Sequence, residues 1–369
     1  MRPPLDVLVP SYVREFEPYI PSRPDPELMR MYGCSRLLRL NNNENPLGPP
    51  PGAQDVIRGF APPRAAIYPS GDSFYLRQEL AAHHGMDADQ FLVGNGANEI
   101  ITFVIKAFCQ QGDNIVTADQ TFAVYEWVAV FSGVTAKLIP LREHRFDGPA
   151  MVAAIDGRTK AIFLCNPNNP TGTYWDGPTL RSFLDAVDGR QIVVVDEAYF
   201  EFVENADYPN AMALIRTYPN LIVFRTFSKM YGMAGLRIGY LASSAEVVDT
   251  LRRTCVVYSV NSLAQEAAVA ALRDDTGHVE RTRALVREAK MFLRREFASM
   301  GLPVIGGEGN FLIVGLPGSD TLAYRRLMKE GVMVRAMTSF RFPNHIRISL
   351  STMDAMEAAV AAVRKVLSS

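Results

Sequence analysis

Between residues 90 and 242 short runs of aliphatic and β-branched residues recur at a spacing that fits crossover connections. QFLVG, NIVTA, TAKLIPL, KAIFLC, QIVVVD, LIVFRT and RIGYLA alternate with longer stretches after Glu99, after Phe122, from Pro178 and from Pro209. Short apolar runs read as strands and the longer stretches between them as amphipathic helices, so the pattern is repeated βαβ. It predicts an α/β fold with a mostly parallel sheet, helices on both faces, and a ligand crevice at the carboxyl ends of the strands.

From about residue 263 the texture changes to long helical patterns, SLAQEAAVAALRDD and HVERTRALVREAKMFLRREFASM, and then to the short strands FLIV, VMVRA and HIRISL. This predicts a second, smaller α+β domain. A chain of 369 residues is long enough for two cores. The expected division is an N-terminal arm over 1–44 that packs on the smaller domain, a large domain over 45–262, and the smaller domain over 263–369. The 38 basic and 39 acidic residues leave a net charge of -1 with no long like-charge run, which points away from nucleic acid and anionic membrane and toward a small ligand. Charged residues and prolines interrupt the start before a signal-type apolar stretch can form, and no apolar run reaches membrane-spanning length, so a cytoplasmic protein is expected. Cys34, Cys109, Cys165 and Cys255 are scattered with no CxxC pair, which suggests neither a metal site nor disulfides.

Seven lysines are available, and Lys229 is set apart because it follows the buried-type strand LIVFRT, where α/β proteins place their active sites. Lys106, Lys290, Lys329 and Lys365 fall in helical patterns and read as solvated. Asp196 ends the apolar run VVVD; an ionised carboxylate there needs a cation or strong donors, although an N-cap or turn role fits the same residue. NPNNPTG, residues 166–172, is a shaped loop after a strand, and its Asn169 either donates to a phenolate-like oxygen or only turns the chain. GNGANE, residues 94–99, opens a helix whose free N–H groups and dipole suit a phosphate. Its third glycine position is Glu99, which separates it from a dinucleotide fingerprint, and no GxxxxGK[ST] occurs. Ser228 and Arg237 add a hydroxyl and a guanidinium suited to an anion. Arg335 and Arg347, beside buried-type strands, read either as anion captors or as core-edge ion pairs.

In this order and spacing, NNNENPLGP, YPSGDSFYLRQELA, VGNGANE, QTFAVYE, NPNNPTG, VDEAY, SKMYGMAGLRIGY, EGNFL, GVMVRAM and FPNHIRIS make the chain resemble the fold-type I, class I/II aminotransferases. Among these it is most similar to the histidinol-phosphate aminotransferases. The resemblance implies that pyridoxal 5'-phosphate (PLP) is carried covalently on Lys229, which then moves the proton between substrate carbon and cofactor carbon. It implies that Asp196 pairs with the pyridinium nitrogen, that Asn169 and Tyr199 bond the phenolic oxygen, and that Phe122 stacks on the ring. Ala97, Asn98, Ser228 and Arg237 would hold the phosphate, joined by Tyr68 from the second subunit of a homodimer. Arg347 would grip the glutamate carboxylate, with Tyr19, Asn310 and Arg335 shaping the pocket for the other substrate. Asn98 stands where Asp is more usual, and no glycine follows the Arg347 strand; neither change touches the Lys-Asp-Asn set. The reaction implied is transfer of an amino group from histidinol phosphate to 2-oxoglutarate. Aromatic amino-acid transamination, a PLP-dependent decarboxylation or elimination, and a non-enzymatic PLP-sensing module share these motifs.

Overall fold

The structure, a computed structural model, describes residues 5–17 and 23–368. Beyond the N-terminal helices the chain forms β1 (Leu38–Arg39), then the strands β2 (Phe91–Gly94), β3 (Asn114–Ala118), β4 (Thr135–Ile139), β5 (Thr159–Cys165), β6 (Ile192–Asp196), β7 (Leu221–Thr226) and β8 (Gly239–Ala242). β2 to β8 make one seven-stranded sheet in the order β2-β8-β7-β6-β5-β3-β4. Every residue of β7, and all of β5 and β6 but Lys160 and Ile192, is buried. Side chains alternate between faces along a strand, so continuous burial means that both faces are covered. Each buried Val, Leu or Ile there contributes roughly 1.5–3 kcal/mol.

The pairs β4-β3, β3-β5, β5-β6 and β6-β7 are parallel, and β8 runs antiparallel to both β7 and β2. The reversal is set by the connection, since residues 227–238 contain only the 3-10 turn Ala234–Leu236, with no helix to carry a parallel crossover. The stretch from Pro209 also departs from the helix expected of it and makes only the 3-10 turn Ala211–Leu214.

A second, four-stranded antiparallel sheet follows the long helices Ser262–Leu272 and His278–Ser299. It is built from β9 (Val304–Ile305), β10 (Phe311–Gly315), β12 (Arg335–Ala336) and β13 (His345–Ser349) in the order β12-β13-β10-β9, while β11 (Val332–Met333) pairs in parallel with β1. The helix Asp25–Tyr32 joins this layer through Leu28, which packs with Met328 and Met333. Residues 11–16 lie elsewhere, with Phe16 edge-on to Phe131 of the helix Val124–Phe131 at 5.7 Å.

The stretch Asn41–Gly48 fastens the two sheets together. Asn43 donates its N–H to Ser349 Oγ at 2.8 Å and its amide to the Tyr199 hydroxyl at 3.0 Å, and Asn45 donates to the Met230 carbonyl at 2.7 Å. Gly232, at φ +60, lies backbone to backbone against Gly48, and any Cβ there would overlap the Gly48 carbonyl. Lys290 departs from the solvated role read from its helix, since its ammonium is half-buried and donates to the Gly307 carbonyl at 2.6 Å.

Candidate active site

The carboxyl ends of β5, β6 and β7 lie side by side, in a register that sets Cys165 beside Asp196 and Asp196 beside Phe224. Above them opens a cavity of about 740 Å³. Eleven of the residues singled out in the sequence line it: Ala97, Asn98, Phe122, Asn169, Asp196, Tyr199, Ser228, Lys229, Arg237, Arg335 and Arg347.

Lys229 follows β7 and donates from Nζ to the Asn42 carbonyl at 2.6 Å. Burial, with the positive charge of Arg347 added, brings its ammonium down to about 8, so a useful fraction is neutral amine near pH 7. Asp196 is fully enclosed; Tyr125 donates to its Oδ2 at 2.6 Å and the Ala198 N–H to its Oδ1 at 3.0 Å. Burial nevertheless pushes its carboxyl up, so a cationic ligand is the partner it lacks.

The NPNNPTG loop is pinned from within. Asn166 exchanges two hydrogen bonds with the Trp175 backbone, and Thr121 donates to Asn168 Oδ1 at 2.7 Å. Asn169 Oδ1 accepts from Arg347 Nη1 at 2.5 Å, which fixes the amide so that its NH2 is the free end. Tyr199 accepts from Asn43, and its own hydroxyl proton is left to give.

On the other side of the cavity the helix Ala97–Phe108 starts without a side-chain cap, after Gly96 at φ +81. Its first N–H groups are therefore free for an anion. A Cβ at Gly96 would strike the Arg237 guanidinium. Glu99, at the third-glycine position of a dinucleotide loop, has its carboxylate engaged instead by the Asn95 N–H at 2.7 Å and the Ser259 hydroxyl at 2.9 Å.

Arg335 and Arg347 are Cα partners across the antiparallel pair β12-β13. Like charges set opposite one another in a strand pair are unfavourable unless an anion lies between them. Arg347 is only 5% exposed, holds Asn169 and the Asn41 carbonyl, leaves its Nε without a partner, and is brought down to about 10 by burial. Arg335 lies over the Phe340 ring at 5.4 Å.

Two expected residues stand apart from the cavity lining. Asn310 is buried; its amide donates to the Asn43 carbonyl at 3.0 Å, and its Oδ1 has no partner among the described residues. Tyr68 is 80% exposed and lines a different cleft with Ser262 and Gln265, its ring 4.9 Å from that of Tyr258. Tyr19 lies outside the described residues. Tyr125 went unnoticed in the sequence, although it lies in the QTFAVYE motif three residues after Phe122.

The donor set fits PLP: a buried carboxylate for a ring cation, an amine of lowered proton affinity, a fixed amide NH2, and an uncapped helix start with an arginine for a phosphate. Solved chains place the architecture among the fold-type I PLP-dependent transferases. A histidinol-phosphate aminotransferase from Sinorhizobium meliloti, in complex with pyridoxal-5'-phosphate, superposes with a TM-score of 0.87 at 25% identity over 97% of each chain. A Thermus thermophilus aspartate aminotransferase double mutant shares the fold at 0.84 with 20% identity, over 100% of each chain. The family description Aminotransferase class I and II matches residues 35–364, and the chain belongs to that family of PLP-dependent enzymes. Its relatives include histidinol-phosphate aminotransferases of Moorella thermoacetica, 39% identical over 96% of this chain and 92% of that one, and of Symbiobacterium thermophilum, 40% identical over 97% and 98%. Among the described residues no helix is long and apolar enough to cross a membrane.

Proposed function

We propose that this aminotransferase carries PLP on Lys229 and exchanges an amino group between histidinol phosphate and 2-oxoglutarate, giving imidazole-acetol phosphate and glutamate, as a cytoplasmic homodimer in histidine biosynthesis. The observation that carries the substrate choice is the facing pair Arg335 and Arg347 in the cavity that holds Lys229. Both substrates are anions, one a phosphate ester and the other a dicarboxylate, and two guanidinium groups can serve either in turn. Its histidinol-phosphate aminotransferase relatives point the same way.

In this reading the cofactor supplies an electron sink for the carbanion that forms when the substrate carbon loses its proton. Asp196 holds the pyridinium nitrogen, Asn169 and Tyr199 donate to the phenolic oxygen, and Phe122 covers the ring. Ala97, Asn98, Ser228 and Arg237 hold the phosphate. Lys229, freed by substrate, takes and returns the proton at Nζ. Arg347 receives the 2-oxo acid or glutamate carboxylate, and Arg335 the other substrate, with Tyr19 contributing; Asn310 supports them through the Asn43 backbone. Tyr68 reaches the phosphate of the other subunit. Exposure of Ile67, Tyr68, Phe74, Tyr75, Val256, Val257 and Tyr258 supports a dimer, because so much apolar surface favours a partner.

The test is a half-reaction panel on purified protein. Histidinol phosphate and glutamate should each convert the visible cofactor band to the pyridoxamine form; conversion by phenylalanine but not by histidinol phosphate would transfer the assignment to an aromatic aminotransferase. Loss of carbon dioxide or water without consumption of 2-oxo acid would rule out transamination.

Two further outcomes are expected. Only the neutral Lys229 amine attacks an aldehyde, so the rate at which apoprotein takes up PLP should rise about tenfold per pH unit below pH 8 and level off above it. Stopped-flow absorbance across pH 6–9 checks the sign. Gly96→Ala should weaken PLP binding by roughly tenfold, since the displaced Arg237 loses a charge-assisted contact worth about 1.5 kcal/mol. Fluorescence titration of the apoprotein with PLP measures it.

A further inference from the structure

We infer that Tyr125 is a positioning residue for this chemistry, its hydroxyl keeping the Asp196 carboxylate ionised and aimed at the ring nitrogen of the cofactor. The inference rests on the PLP reading above and adds a residue to it. Tyr125 has no solvent exposure; its ring stacks on Phe163 at 5.0 Å and meets Phe122 edge-on at 5.5 Å. Within that packing the hydroxyl donates to Asp196 Oδ2 at 2.6 Å, with the Cys165 thiol as its second polar neighbour.

The geometry makes this more than a satisfied core tyrosine. Asp196 has two protein donors, the Tyr125 hydroxyl on Oδ2 and the Ala198 N–H on Oδ1. Together they fix the plane of the carboxylate and leave a lone pair on each oxygen for a third donor. The ionisable groups around it are Cys165 at the end of β5, Glu197 and Tyr199 after β6, Lys229 after β7, and Tyr125 itself; of these, Lys229 alone supplies a favourable charge. Glu197 is taken up by Arg225, which it holds at 2.9 and 2.8 Å, so that arginine does not serve Asp196.

A neutral phenol suits the task better than a cation would. An arginine touching Asp196 would stabilise its charge but repel a pyridinium brought to the same carboxylate. A phenol proton stabilises the anion with no net charge of its own. Without it, the buried carboxylate holds a proton more tightly, the proton shared with the ring moves toward oxygen, and the ring nitrogen becomes less positive. A less positive ring weakens the electron sink. It also raises the proton affinity of the nitrogen that Lys229 contributes, and the visible absorption of bound PLP reports that protonation.

The experiment compares wild-type, Tyr125→Phe and Cys165→Ala holoenzymes. Tyr125→Phe keeps the ring and its packing. Its visible band should titrate with a midpoint about one unit more alkaline than wild type, with kcat about tenfold lower and KM for both substrates within about twofold. Cys165→Ala, which alters a neighbour without removing the donor, should leave the midpoint in place. Where Tyr125→Phe does not fold, 3-fluorotyrosine placed at position 125 is the isosteric alternative. Its more acidic phenol should move the midpoint in the acid direction. A Tyr125→Phe midpoint within about 0.2 unit of wild type overturns the inference, as does an alkaline shift of about one unit in Cys165→Ala. A wild-type protein that shows no visible band with PLP overturns the proposed function instead.

Discussion

Lys229→Ala is expected to lower amino transfer by roughly 10⁴-fold or more, because in the proposed function a single side chain supplies both the covalent attachment and the proton transfer. The other groups that could move a proton are committed elsewhere. Asp196 is held by Tyr125 and Ala198, and the Tyr125 and Tyr199 hydroxyls have their proton affinity raised by burial. Lys229 joins a proton affinity lowered to near 8 to a place on the cavity wall, whereas Arg347, on the same wall, comes down only to about 10. PLP should still enter the variant, because the phosphate cradle at Gly96–Asn98, Ser228 and Arg237 is left whole. Borohydride followed by mass measurement separates the two functions: the wild type should gain the mass of one reduced cofactor and the variant none. Activity in the variant within tenfold of wild type would remove Lys229 from its assigned role.

Lys229 and Asp196 stood out in the sequence because Asp196 ends the apolar run VVVD and Lys229 lies three residues beyond LIVFRT, at the end of the sheet where α/β proteins open their crevices. Both strands are buried along their length, Arg225 of LIVFRT through its ion pair with Glu197. The direction of β8 was less legible because RIGYLA is as apolar as the parallel strands; the discriminating signal lay in the connection, where SKMYGMAG lacks a helical period. Tyr125 was hidden for a related reason, since a tyrosine in an amphipathic helix looks like core until its hydroxyl is seen to meet Asp196. Asn310 shows the converse. The family resemblance gave it a part in shaping the pocket, and in the structure its amide donates to the Asn43 carbonyl, in the segment that meets Lys229 and Tyr199. Long-range partners of this kind, 267 residues apart for Asn310 and Asn43, leave no local trace in the chain.

Arg347→Ala is expected to cost about 3 kcal/mol with glutamate, roughly a 150-fold fall in kcat/KM, as for removal of one partner from a buried charge-assisted contact. The effect on folding should be much smaller. In the free protein the guanidinium is buried with no carboxylate partner, its Nε is unbonded, and Arg335 repels it across the strand pair, so its removal relieves a penalty as well as two hydrogen bonds. Arg335→Ala relieves the same repulsion and should fall hardest on histidinol phosphate, leaving glutamate within about tenfold of wild type. On the proposed reading the two facing residues serve a single anion site, so the double variant should lose less than the sum of the single losses for each substrate. Steady-state kinetics of the four proteins with both substrates, beside their melting temperatures, tests the arrangement. Strict additivity, or an Arg347→Ala enzyme that saturates with both substrates as wild type does, would mean that the facing pair is a feature of the small sheet and that the substrate anions are held elsewhere.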